Sequence, residues 1–169
     1  MTPSIKNRLS SMVHALTDII LPAIDSDNSL AREQAELVVA HLTLIGRQID
    51  KASDFDRLEL RAVINLGRTV SAIALGGSHT SEAADTVTAA IKAAAHEGDD
   101  RQEGIRSINH AIEQLIRACN IDGEKASNEK IAAKIIAHTK AQSLRDRVLF
   151  AATNFDAEKD SLPSQEEIL

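Results

Sequence analysis

The sequence predicts an all-α protein, an antiparallel bundle of about six helices. Three observations carry that prediction. Ile, Leu, Val and Ala recur at three- and four-residue spacing almost from end to end. Caps and breakers interrupt the pattern at helix-length intervals. No run alternates β-branched and aromatic residues between turns, and the chain has no Trp, no Tyr and three Phe.

The first helix is predicted over residues 4–21, with Ile5, Leu9, Met12, Val13, Leu16 and Ile20 as its apolar stripe. Pro22 ends or kinks it, because a proline lacks the N–H and its ring clashes with the preceding turn. Asp25-Ser26-Asp27-Asn28 is a loop whose last members can cap the next helix. That helix is predicted over 29–52, with Ala31, Ala35, Val38, Leu42, Ile45, Ile49 and Ala52 on one face. Ser53-Asp54 reads as a break. The third helix follows over 55–75, with Leu58, Val63, Leu66, Val70 and Ile73 inward, until Gly76-Gly77 stops it.

Ser78-His79-Thr80-Ser81 caps a fourth, alanine-rich helix that reaches about residue 96. Gly98-Asp99-Asp100 separates it from a fifth over 101–120, and Asp99 and Gln102 have capping-box spacing. Ile105, Ile108, Ile112, Leu115, Ile116 and Cys119 share one face there. After an Asp122-Gly123 turn, a sixth helix is predicted over 128–155, with Ile131, Ile135, Leu144, Val148 and Phe155 as core positions. Short connections make neighbouring helices antiparallel. Residues 1–155 thus read as one bundle domain and 156–169 as an acidic tail.

The charge balance narrows the partners. Net charge is −6, and the tail supplies most of it through Asp156, Glu158, Asp160, Glu166 and Glu167 against Lys159. A near-neutral body with an acidic tail lacks the basic face that nucleic acid or an anionic membrane surface requires. A single cysteine, Cys119, excludes an internal disulfide and any multi-cysteine metal site. The N-terminus carries no signal-peptide pattern, since His14 and Asp18 interrupt its apolar run, and no run is long enough to span a bilayer. The expected compartment is the cytoplasm.

Chemistry has few places to reside. No Glu-x-x-His or His-Glu-x-x-His occurs, so neither a di-iron nor a zinc-protease site is predicted, and no metal or cofactor is expected. His41 lies beside an apolar stripe and is expected to be half-buried and structural; His138 is expected to flank the core in the same way. His14 and His110 fall on polar flanks. Gly76-Gly77-Ser78-His79-Thr80-Ser81-Glu82 is the densest set of uncharged polar residues. Two glycines before hydroxyls at a helix start can form a nest of N–H groups for an anion. A C-cap followed by an N-cap explains the same residues without a ligand. The candidate ligand-binding residues are therefore His41, His138, Gly77, Ser78, His79, Thr80 and Ser81, with no catalytic residue among them. Cys119 is expected to be a buried, unreactive thiol.

Thr17-Asp18-Ile19-Ile20-Leu21-Pro22-Ala23-Ile24, followed by a helix carrying Ala31-Arg32, resembles a family of small bacterial helical proteins of unknown function. Their genes lie beside those of acyl-CoA dehydrogenases and aminoglycoside-phosphotransferase-like kinases. The resemblance covers the first two helices and implies a bacterial accessory protein; it carries no functional residues.

Two functions follow as expectations. One is a non-catalytic helical interaction protein that pairs with itself as a homodimer or with another protein. The other is a small-ligand binder or enzyme with an apolar pocket between helices. The tail is expected to dock across a groove as an extended segment with at most one helical turn.

Overall fold

A computed structural model describes residues 4–49, 51–96, 100–151 and 156–168. The chain is all-α, and the described residues form no strand. They group into two compact units. One joins the chain up to Ala52 with the stretch from Asp146 onward; the other runs from Ser53 to Arg145.

In the first unit, α1 (Ile5–His14) starts at Ser4, whose hydroxyl accepts from the Asn7 N–H at 3.2 Å. It continues as a π-helical stretch, Ala15–Ile20, and a last turn, Leu21–Ala23. Pro22 accounts for the widening. Its ring cannot sit over the carbonyl four residues back in a regular α-helix, and i→i+5 bonding in the preceding turn relieves the clash. Asn28 then caps α2 (Ser29–Gln48), accepting from the Ala31 N–H at 3.1 Å. The helices α1 and α2 pack together with Leu9 against Gly46, where an added Cβ would lie 4.0 Å from Leu9 Cδ1.

The buried side of α2 is not its expected stripe. Val38 and Ile45 are 48% and 47% exposed, whereas Leu44, outside the expected stripe, is buried. This helix is covered from two sides. The helix α1 takes the side of Leu42 and Gly46. On the side of Leu44, Gln48 Nε2 donates to the Leu149 carbonyl at 3.1 Å. Val38 and Ile45 fall between the two coverings.

The second unit holds α3 (Ala52–Ile73), α4 (Ser78–His96), α5 (Arg101–Asp122) and most of α6 (Lys125–Phe150). The Ser53-Asp54 break is displaced: both residues lie in the first turn of α3, where Asp54 opposes the helix dipole and pairs with Arg57 at 3.0 Å. Asp100 caps α5, accepting from the Glu103 N–H at 2.9 Å, one position later than the Asp99–Gln102 spacing suggests. Asp99 itself lies outside the described residues, as does the expected end of α6 at Phe155. Val63, Leu66 and Val70 of α3 meet Val87 and Ile91 of α4, Ile105, Ile108, Ile112, Leu115 and Cys119 of α5, and Ile131 of α6. Among the described residues of this core cluster none is aromatic, and small residues let the helices close on one another. A Cβ on Gly104 would stand 3.0 Å from Ala94 Cβ, and one on Gly67 would stand 3.0 Å from Ile91 Cδ1.

The tail is ordered into the first unit. Arg147 at the end of α6 grips Asp156 (Nε to Oδ2, 2.7 Å) and Glu158 (Nη2 to Oε2, 3.0 Å). A 3₁₀ turn, Lys159–Ser161, and a four-residue α7, Gln165–Ile168, follow. Ser164 and Glu167 close a capping box: the Glu167 N–H reaches Ser164 Oγ at 3.3 Å, and the Ser164 N–H reaches Glu167 Oε2 at 2.7 Å. Deleting residues 156–169 is therefore expected to lower the melting temperature by at least about 3 °C, read by circular dichroism. An unchanged midpoint would make the tail dispensable.

Candidate functional site

The strongest polar constellation lies in the second unit, where the end of α3, the start of α4, the end of α5 and the start of α6 meet. Gly76-Gly77 and Gly123 let two turns press together. The Gly77 N–H donates to the Asp122 carbonyl at 3.0 Å, and the Glu124 N–H donates to the Leu75 carbonyl at 2.8 Å. A Cβ on Gly77 would fall 2.5 Å from Asp122 Oδ2, and one on Gly123 would fall 2.5 Å from the Cys119 carbonyl, so neither position admits a side chain without moving backbone or carboxylate.

Of the two readings of Gly76–Glu82, the capping one describes the junction, and the cap on α4 comes from a distant residue of the chain. The Asp122 carboxylate accepts from the His79 N–H (2.9 Å), the Thr80 N–H (3.0 Å) and the Thr80 hydroxyl (2.6 Å). It thereby caps α4 from 42 residues away. The Thr80 hydroxyl, followed by the two N–H groups, holds the Asp122 carboxyl below its usual pKa. Ser127 ties the start of α6 to the end of α3: its hydroxyl donates to the Ile73 carbonyl at 2.7 Å and accepts from the Leu75 N–H at 3.0 Å. Asn128 Nδ2 donates to the Cys119 carbonyl at 2.9 Å, while its Oδ1 is buried without a partner among the described residues.

The other candidates are scattered. Thr80 is fully buried, while Gly77, Ser78, His79 and Ser81 are exposed. His41 belongs to the first unit and is exposed, not half-buried, because it sits between the two coverings of α2. His138 belongs to the second unit and is half-buried; burial, with the Arg145 charge added, pushes its pKa down. His14 and His110 are exposed. Cys119 is buried, and burial pushes its thiol pKa up, which disfavours the reactive thiolate.

An apolar cavity of about 270 Å³ opens between α5 and α6, lined by Ile116, Cys119, Asn120, Asn128, Ile131, Ala132, Ile135 and Ile136. None of the candidate ligand-binding residues lines it. A groove of about 340 Å³ between α1 and α2 is lined by Lys6, Leu9, Ser10, Val13, Leu42, Thr43 and Gly46. Among the described residues no three His, Cys, Asp or Glu side chains converge to hold a metal ion, and no helix is long and apolar enough to cross a membrane. The chain matches no protein-family model, no curated protein and no solved structure.

The sequence marks Asp122 as a turn residue and gives no sign that it caps α4, nor of the parts played by Ser127 and Asn128. The only local signal was an acid beside a glycine, Asp122-Gly123, facing no pattern nearby.

Proposed function

We propose that this chain is a non-catalytic helical interaction protein that works as a homodimer in the cytoplasm. One observation carries the reading: the first unit buries little of its own apolar surface. Among its described residues Leu9, Leu44 and Val148 are its buried large apolar side chains, while Ile5, Met12, Ile19, Ile20, Leu30, Val38, Ile45 and Phe150 are exposed. Exposed apolar residues are ordinary when scattered, but this many in one small unit mark a surface that binds. The polar junction at Asp122 supports the same reading, because its donors are already satisfied by the chain. The resemblance around Thr17–Ile24 adds a bacterial accessory role.

The second reading, a small-ligand binder, rests on the cavity beside Cys119. At about 270 Å³ it falls just under the usual range for ligand pockets, roughly 300–1,000 Å³. Its polar groups are Asn120 and Asn128, not the histidines. Sedimentation velocity of the purified chain over a wide concentration range tests the first reading. A dimer is expected; monomer alone at the highest concentration would overturn it.

A further inference from the structure

The proposed homodimer needs a surface, and the first unit offers one whose geometry follows from helical periodicity. On α1, Ile5 and Met12 are seven residues apart and 60% and 44% exposed. The π stretch takes up an extra residue, so the same line continues at Ile20, eight residues on, at 46% exposure. On α2, Val38 and Ile45 are again seven apart. A seven-residue apolar repeat is the seam of helices packed side by side in bundles.

Both seams lie on one side of the α1–α2 hairpin. Leu9 meets Gly46 between the two helices, and a groove lined by these two with Val13, Leu42, Lys6, Ser10 and Thr43 opens on one side of that contact. At about 100° per residue, Ile5 and Met12 lie on the opposite side of α1, and Val38 and Ile45 on the matching side of α2. With Leu9 beside Gly46 in an antiparallel pair, Ile45 falls between Ile5 and Met12, and Val38 between Met12 and Ile20. The five side chains form one continuous strip. Positions along it also include Arg8, Gln34 and His41, but no carboxylate, in a chain with 25 acidic residues.

We infer that this strip is a self-association surface, on which a second copy of the chain seats its own α1–α2 hairpin about a two-fold axis to complete a four-helix bundle. The inference rests on the homodimer reading and adds the place and the partner. Two arguments favour a second copy. A strip of two antiparallel helices is matched by another such strip, and packing the two pairs yields a bundle in which each seam finds a seam. The area also suffices. A hairpin face about 28 Å long and about 20 Å wide covers on the order of 550 Å² per copy, or about 1,100 Å² in all, above the roughly 1,000 Å² expected of a specific interface. Two chains of net charge −6 repel at long range, so a contact strip free of carboxylates is the surface on which they can meet.

The test is sedimentation of the full chain beside a Val38→Glu/Ile45→Glu variant, with helicity checked by circular dichroism. Wild type is expected to dimerise, and the variant to dissociate at least about 100-fold more readily while staying helical. An Ile116→Glu/Ile136→Glu variant, on the α5–α6 cavity of the other unit, should leave the dimer intact. If the glutamate pair on α2 loses helicity, Val38→Gln/Ile45→Gln decides, since glutamine keeps helix propensity and removes the apolar seam. A dimer that survives either α2 pair overturns the surface and leaves the homodimer reading standing. A wild type that is monomeric throughout overturns both.

Discussion

Leu115→Ala is expected to cost about 3–5 kcal/mol of stability and to lower the melting temperature by roughly 10 °C. Leu115 is fully buried in the middle of α5, among Ile108, Ile112, Val70 and the other aliphatic side chains of the second unit. Truncation removes the transfer energy of the lost methyl and methylene groups and leaves a cavity whose cost depends on how far the neighbours collapse. Collapse is obstructed here. A Cβ on Gly67 would already meet Ile91 Cδ1 at 3.0 Å, and one on Gly104 would meet Ala94 Cβ at 3.0 Å, so these helices stand close to their nearest approach. With the helices already this close, the loss should fall in the upper part of the range. Leu30, 66% exposed, is the control: Leu30→Ala should change stability by no more than about 0.5 kcal/mol. Chemical denaturation of both variants reads the difference. A Leu115→Ala protein within about 1 kcal/mol of wild type would mean that the core does not pack as described.

That core was legible in the sequence because α3 and α5 are each covered from one side. A single period of 3.6 residues then names most of the buried face: Val63, Leu66 and Val70 on α3, and Ile105, Ile108, Ile112, Leu115 and Cys119 on α5, are buried, whereas Ile116, expected on that α5 face, is 37% exposed and Leu144, expected in the core from α6, is 40% exposed. The helix α2 defeats the same reasoning. Covered from two sides, it has two inward directions, and a search for one stripe returned their average, placing Val38 and Ile45 inside and omitting Leu44. The π stretch before Pro22 was half legible, since the proline announced an interruption but not its form. Cap chemistry was readable wherever donor and acceptor are neighbours in sequence, as at Asn28 and Ser164. It was unreadable where the cap arrives from another helix end. Gly76-Gly77 followed by hydroxyls could be a C-cap and an N-cap or a nest for an anion, and no local spacing could join them to the capping aspartate 42 residues away.

Asp122→Ala should therefore destabilise the second unit more than loss of an ordinary surface acid. The carboxylate satisfies two N–H groups at the start of α4, which would otherwise lack an intrahelical acceptor. It also accepts from the Thr80 hydroxyl at 2.6 Å, and Thr80 is fully buried, so alanine leaves a buried donor unpaired. The melting temperature is expected to fall by on the order of 5 °C. Its pH dependence gives a second readout with a fixed sign. The Thr80 hydroxyl and the two N–H groups hold Asp122 below the usual carboxylate pKa in the folded state, whereas the unfolded chain takes up a proton near the ordinary value, about 3.9. The stabilisation is thus complete above that value and is lost as pH falls through it toward the lowered folded-state pKa. Asp156, held low by Arg147, loses its contribution in the same direction, so the variant should keep part of the acid slope. Melting curves from pH 7 down to pH 3 should bring wild type and Asp122→Ala together as the pH drops. Parallel curves with a constant gap, or no gap at pH 7, would show that Asp122 does not act as an ionised cap on α4.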